Sequence, residues 1–300
     1  MVRWPRLFLC ALGVVALSAA PAHAARETVV LKPAGDWSVD FGEERCRLAR
    51  LYGVGEERHG LFMQQWQPSG AFSFTVAGPS FKRFKSRRPT HVRFSEGQKE
   101  RETEPFVGNS QSFGNAVIYT SFAIDPSKVE AEENDISAKA VPGLGLPQLN
   151  LADAAGVEFI ELRQLGRTVR LEIDALREAF EVMNTCTQDL VKDWGLDVEK
   201  HLTASRRVSM SNFDAIARRV ASNYPRDALT RGEQAILRVR VAVNAQGQAT
   251  DCIINDVTRT NSLESPACRP LMQGDYLPAL DAQGEAFDSY FTTSITYVIP

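Results

Sequence analysis

The rhythm of the first third constrains the fold most. From Glu27 to about Phe122, apolar, β-branched and aromatic residues come in short runs. They are Thr28-Val29-Val30-Leu31, Trp37-Ser38-Val39-Asp40, Cys46 to Tyr52, Leu61-Phe62-Met63, Phe72 to Val76, and Val117-Ile118-Tyr119 with Phe122. Glycine, proline and serine separate them at intervals of about ten residues, the spacing of an antiparallel sandwich or barrel. Val157 to Leu165 and Thr168 to Ile173 supply a returning hairpin across Gly166. Between them, Asp125 to Gln148 carries the acidic run Glu130-Ala131-Glu132-Glu133-Asn134-Asp135 and the stretch Val141-Pro142-Gly143-Leu144-Gly145-Leu146-Pro147. That composition reads as a long surface connection.

The grammar then changes. Leu176, Ala179, Phe180, Met183, Thr187, Leu190, Val191 and Trp194 recur at three and four residues, one face of a helix. Asp174 is the expected N-cap and Gly195 the expected stop. Cys186 lies near this face, at a helix-to-sheet contact where a strand presents Cys46. Asp197 to Val208 is polar and basic, an expected interdomain linker. Ser211 with Asp214 reads as a capping box. Phe213, Ile216, Val220 and Tyr224 mark the next helix face, and Pro225 ends it. Leu237, Val239, Val241 and Val243 alternate with Arg238 and Arg240, a half-buried strand. Gln246-Gly247 turns the chain, and Ala249 to Val257 returns. Leu263 to Met272 is an expected short helix. Phe291, Thr293, Ile295, Tyr297 and Ile299 alternate in a last strand. The expected fold class is α+β: a β-rich domain closed by a helix over 25–200, then a small α-β-β-α-β module over 207–300.

At the start, Arg3 and Arg6 precede the apolar run Leu7 to Ala20, and Ala22-His23-Ala24 fits a small-x-small cleavage site. The run is too short for a stable span, so residues 1–24 are an expected secretory signal peptide, with an uncleaved signal anchor as the alternative. The whole chain has 300 residues and a net charge of −3, and losing Arg3 and Arg6 makes it more acidic. An acidic, exported chain has no general attraction to nucleic acid or anionic lipid. The expected compartment is a bacterial periplasm, with no membrane span after cleavage. Cys10 leaves with the leader, and Cys46, Cys186, Cys252 and Cys268 remain. An even number in an exported protein reads as two disulfides, and four cysteines allow three pairings. Cys46 with Cys186 and Cys252 with Cys268 keep each bridge inside one expected domain.

In the last third, the order of elements carries particular residues. They are Tyr224-Pro225, Ala228-Leu229, Gly232-Glu233-Gln234, Leu237 to Val241, Val243-Asn244-Ala245-Gln246-Gly247 and Asp251-Cys252. Cys268-Arg269, Tyr276-Leu277-Pro278-Ala279 and Asp281-Ala282-Gln283-Gly284 follow. Over about 207–300 this resembles the TonB C-terminal domain, in a disulfide-bearing branch of that family. The resemblance implies binding of envelope protein partners, among them outer-membrane receptor peptides added as a strand to a sheet edge. Transducers of the family also have a membrane helix and a proline-rich spacer. Here a β-rich domain stands in the spacer's place, and the 15 prolines are spread along the chain.

No catalytic constellation is readable. His59, His91 and His201 have no metal spacing, and no nucleophile elbow or phosphate loop occurs. Gly53-Val54-Gly55 meets Arg58 where a dinucleotide motif needs glycine, so it is a turn. The expectation is a non-enzyme without metal or cofactor. The expected peptide-binding edge is the last strand, Tyr290, Thr292, Ser294, Thr296 and Val298. A second reading gives the chain an envelope glycan or lipid, held by the β-rich domain. Its candidate anion contacts are Lys82, Arg83, Lys85, Arg87 and Arg88, with Phe81 and Phe84 interleaved.

Overall fold

The computed structural model describes residues 27–129, 140–223, 226–232, 235–256 and 267–297. The leader, the acidic run from Glu130, Tyr224-Pro225, Glu233-Gln234, the start of the helix expected from Leu263, and Val298 lie outside them.

Nine strands precede the first helix named here: β1 (Glu27–Leu31), β2 (Ser38–Phe41), β3 (Cys46–Tyr52), β4 (His59–Gln65), β5 (Phe72–Ala77), β6 (Thr90–Arg93), β7 (Arg101–Thr103), β8 (Phe106–Ser110) and β9 (Gly114–Phe122). Helix α1 (Leu151–Ala155), the hairpin β10 (Phe159–Gln164) and β11 (Arg167–Glu172), and helix α2 (Leu176–Asp193) follow. One sheet runs β2-β3-β4-β5-β9-β8 and the other β1-β11-β10-β6-β7. Their inner faces share one hydrophobic cluster: Leu48, Leu61 and Phe74 from the first, and Val92, Ile160, Leu162, Val169 and Leu171 from the second. The strand rhythm thus builds a sandwich, with one departure. β1 pairs with β11 in parallel, because the chain leaves β1 for the other sheet and β11 arrives much later.

The β10–β11 turn is Leu165-Gly166, both at positive φ (50° and 79°), the two-residue turn that matches strand twist. Helix α2 buries the face that the periodicity marks, together with Asn184 and Cys186. Phe180 meets Phe72 at 5.4 Å between ring centres. Its N-terminus departs from expectation: Ala175, in the left-handed region at φ 51°, is the cap, without a side-chain bond. Asp174 is engaged elsewhere. Its Oδ1 lies 2.6 Å from the guanidinium of buried Arg50, which requires a counter-charge more than the helix requires a cap.

A buried acid ties the second sheet. Glu161 accepts from Arg93 Nε and Arg170 Nε, each at 2.7 Å, and both guanidiniums lie over the Phe159 ring. Burial alone would raise the Glu161 carboxyl, but the two guanidinium hydrogen bonds outweigh it and hold the pKa below its ordinary value. Glu161→Ala therefore leaves two cations without the acid between them, and should cost about 3 kcal/mol in urea unfolding. A loss under about 1 kcal/mol would show that the neighbouring acids suffice.

The segment expected as a linker is ordered. Asp197 caps helix α3 (Val198–Leu202), its side chain accepting from Lys200 N, and His201 is buried. Five residues of helix are too few to show a period. The stretch from Val141 lies along it: Val141 N donates to Ser205 O, Gly145 N to Ala204 O, and Arg207 Nε to Gly145 O. The expected surface connection is thus partly tied to the last third.

Then come β12 (Ser209–Met210), α4 (Phe213–Ser222), α5 (Arg226–Arg231), β13 (Ala235–Val243), β14 (Ala249–Asp256), α6 (Cys268–Leu271), β15 (Tyr276–Leu277), β16 (Ala279–Leu280), β17 (Ala286–Phe287) and β18 (Ser289–Tyr297). The expected capping box does not form. Asn212 is the cap of α4, and Ser211 Oγ donates to Asp275 O instead, joining the helix start to the loop before β15. The main sheet runs β14-β13-β18, all antiparallel. Ile216, Val220, Val239, Val241 and Val243 form a second cluster with Leu271, Tyr276 and Phe287. Cys46 bonds Cys186, fastening β3 to α2, and Cys252 bonds Cys268, fastening β14 to α6.

Candidate functional site

Strand β18 lies at the border of its sheet, with β13 as its one partner among the described residues. Its register against β13 sets two faces. Thr293 lies opposite Val239 and Ile295 opposite Leu237, so Phe291, Thr293, Ile295 and Tyr297 share the α4 side with those core residues. Tyr290, Thr292, Ser294 and Thr296 share the other side, with Arg238 and Arg240.

Each side carries a cavity. On the α4 side, Phe213, Ile216, Ala217, Val220 and Leu271 face Thr293, Ile295 and Tyr297 across a groove of about 340 Å³. It exists because α4 crosses the sheet with an apolar face, and Phe213 stays 43% exposed at its open end. On the other side, a cleft of about 730 Å³ separates β18 from the β4–β5 connection and the loop at Gly145. Trp66 and Thr120 come from the sandwich, and Arg206, Arg207 and Arg238 from the last third. Phe213, Thr293 and Ser294 border both cavities, so the two meet at β18.

Arg238 is the charged centre of the cleft. It donates to Ser294 Oγ on β18 and to Thr120 O on β9, and its carbon lies 5.1 Å from the Trp66 ring centre. Its Nε is buried without a hydrogen-bond partner, and no carboxylate lies within ion-pair distance among the described residues. Burial alone lowers its pKa to about 10.

The expected edge residues do not share one role. Tyr290 turns inward, its ring 4.9 Å from Trp194 and 5.7 Å from His201 between centres, and burial raises its pKa. His201 donates from Nδ1 to Asp197 O at 2.6 Å and accepts at Nε2 from Ser289 Oγ at 2.9 Å. Burial lowers its pKa, so both bonds belong to a neutral ring that seats β18 on α3. Thr292 is half-buried, and Ser294 and Thr296 are exposed. Val298 lies outside the described residues.

The basic loop is a separate feature. Lys82, Arg83, Lys85, Arg87 and Arg88 are exposed, and none borders either cavity. Phe81 and Phe84 are buried, so the aromatics between them serve the core. Gln164 holds the loop: its amide donates to Lys85 O, Arg88 O and Thr90 Oγ1, and its oxygen accepts from Lys85 N. Among the described residues, no group of three His, Cys, Asp or Glu side chains is placed to hold a metal, and no helix is long and apolar enough to cross a membrane.

Trp66 reads from the sequence as a core aromatic of the β-rich domain, and it is buried, but no local pattern marks the cleft wall it forms. The alternation of β13 marks Arg238 as facing away from its own core, but says nothing of a second surface there.

Residues 220–299 match the family model described as Gram-negative bacterial TonB protein C-terminal, within the 207–300 that the sequence resemblance covers. Neither a curated protein nor a solved structure matches the chain.

Proposed function

We propose, from a chain that carries a TonB C-terminal domain over 220–299, a periplasmic protein that binds envelope partners by adding an extended segment to the edge of β18. Proteins with this domain work in the cell envelope, and the domain is in general a binding unit and not an enzyme. One observation carries the reading. β18 borders its sheet, and cavities on both of its faces meet along it, so an added strand would have room for side chains on either side.

Residues 25–200 and 207–300 act in this reading as two domains, each with its own disulfide and hydrophobic cluster. The first serves as a rigid wall beside the edge. The family match over 220–299 supports a further link to receptor-driven transport.

Hydrogen exchange tests strand addition. Edge amides that point away from β13 exchange with water until a partner strand pairs with them. A strand-forming peptide in excess should slow exchange at alternate residues of 289–297 in the full chain, and leave β14 unchanged. Slowing along β14 instead would move the site to the opposite edge.

A further inference from the structure

The two faces of β18 are chemically opposite, and an added strand has to satisfy both. Successive side chains of a strand point to opposite faces, so alternate residues of any segment paired with β18 meet alternate cavities. The α4 groove presents Ile216, Ala217, Val220, Leu271 and Ile295, a surface that rewards apolar side chains. Among the described residues the cleft is lined by Arg206, Arg207 and Arg238 and by no aspartate or glutamate, in a chain whose net charge is −3. Arg238 is the one aimed between the walls. Its acceptors are a hydroxyl and a carbonyl, both neutral, which leaves a half-buried cation without a counter-charge among the described residues.

We infer that the cleft is a carboxylate-reading site, and that the partner segment alternates apolar residues over α4 with an acidic residue facing Arg238. This rests on strand addition at β18 and adds what the added strand contains. It also assigns work to the first domain. Thr120 O positions the Arg238 guanidinium, and the Trp66 ring covers it, shielding it from water. A carboxylate placed there gains a charge-assisted bond in a site with little competing solvent.

The test uses the full chain and three blocked peptides. Each alternates valine with threonine, and the central threonine is replaced by Glu, Gln or Lys. A register slip of two residues keeps the same face, so the comparison survives sliding. By calorimetry, the Glu peptide should bind about tenfold tighter than the Gln peptide, the Lys peptide weakest, with the preference shrinking as salt rises. Arg238→Gln should erase the Glu-over-Gln preference, and Arg238→Lys should retain part of it. If Arg238→Gln does not fold, the three peptides on the unaltered chain still decide. Equal affinity for Glu and Gln overturns the acidic reading and leaves strand addition standing. Failure of all three peptides to bind overturns both. A chain that sediments as a dimer, and stays one in saturating peptide, has a second copy on the edge and also overturns the proposal.

Discussion

Replacing Cys46 and Cys186 together by alanine should lower the free energy of unfolding by about 5 kcal/mol, and the melting temperature by on the order of 10 °C. The bridge closes a loop of 140 residues, so cutting it returns much conformational freedom to the unfolded chain. Both cysteines are buried, at 0% and 1% exposure, in the cluster that joins β3 to α2. The bridge fixes the closing helix over the sandwich, and its loss also leaves the volume of two sulfurs unfilled. Removing Cys252 and Cys268 should cost less, about 3 kcal/mol, because that loop spans only 16 residues. Scanning calorimetry of the two double variants checks both the size and the order. Equal losses, or an unchanged melt for the first variant, would contradict the account. Non-reducing peptide maps give the connectivity directly.

Much of the architecture is readable from side-chain periods, because burial imposes them. The helical face from Leu176 to Val191 and the strand from Cys46 to Tyr52 are legible for that reason: each buries one side against a continuous core. Strands β6, β7 and β8 are not. Arg101-Glu102-Thr103 has no apolar side chain, and in β6 only Val92 reaches the core with Thr90 beside it. Their place comes from pairing with neighbours already in the sheet, which no local pattern records. The parallel entry of β1 is equally invisible, since a strand's own residues do not state its partner.

Helix ends misled for a different reason. Asp174 and Ser211 are good caps by type, but a stronger local demand took each of them: the Arg50 charge and the Asp275 carbonyl. Competition between partners far apart in sequence decides such cases.

The site was half legible. The last strand announces itself through alternating Phe291, Thr293, Ile295 and Tyr297. The cleft does not, since its walls come from Trp66, Thr120 and Arg238 on separate elements. Arg238 looks like an ordinary water-facing residue until a second surface is brought opposite it.

Proline scanning along β18 tests strand addition most directly. In an antiparallel pair, backbone groups of successive residues point alternately toward the partner and away. Proline removes one N–H and fixes its φ. On positions whose N–H faces outward, it spares the ladder with β13 but takes away a bond that an added strand needs. Thr292 and Thr296 share one phase and Thr293 and Ile295 the other, so the four single variants sample both. The account predicts that one phase melts close to the unaltered chain and loses binding of the Glu peptide in calorimetry, whereas the other phase loses stability. Thr292→Ala and Thr296→Ala should bind nearly normally, because the contact belongs to the backbone. Full affinity in every folded proline variant from 290 to 297 would contradict strand addition at this edge.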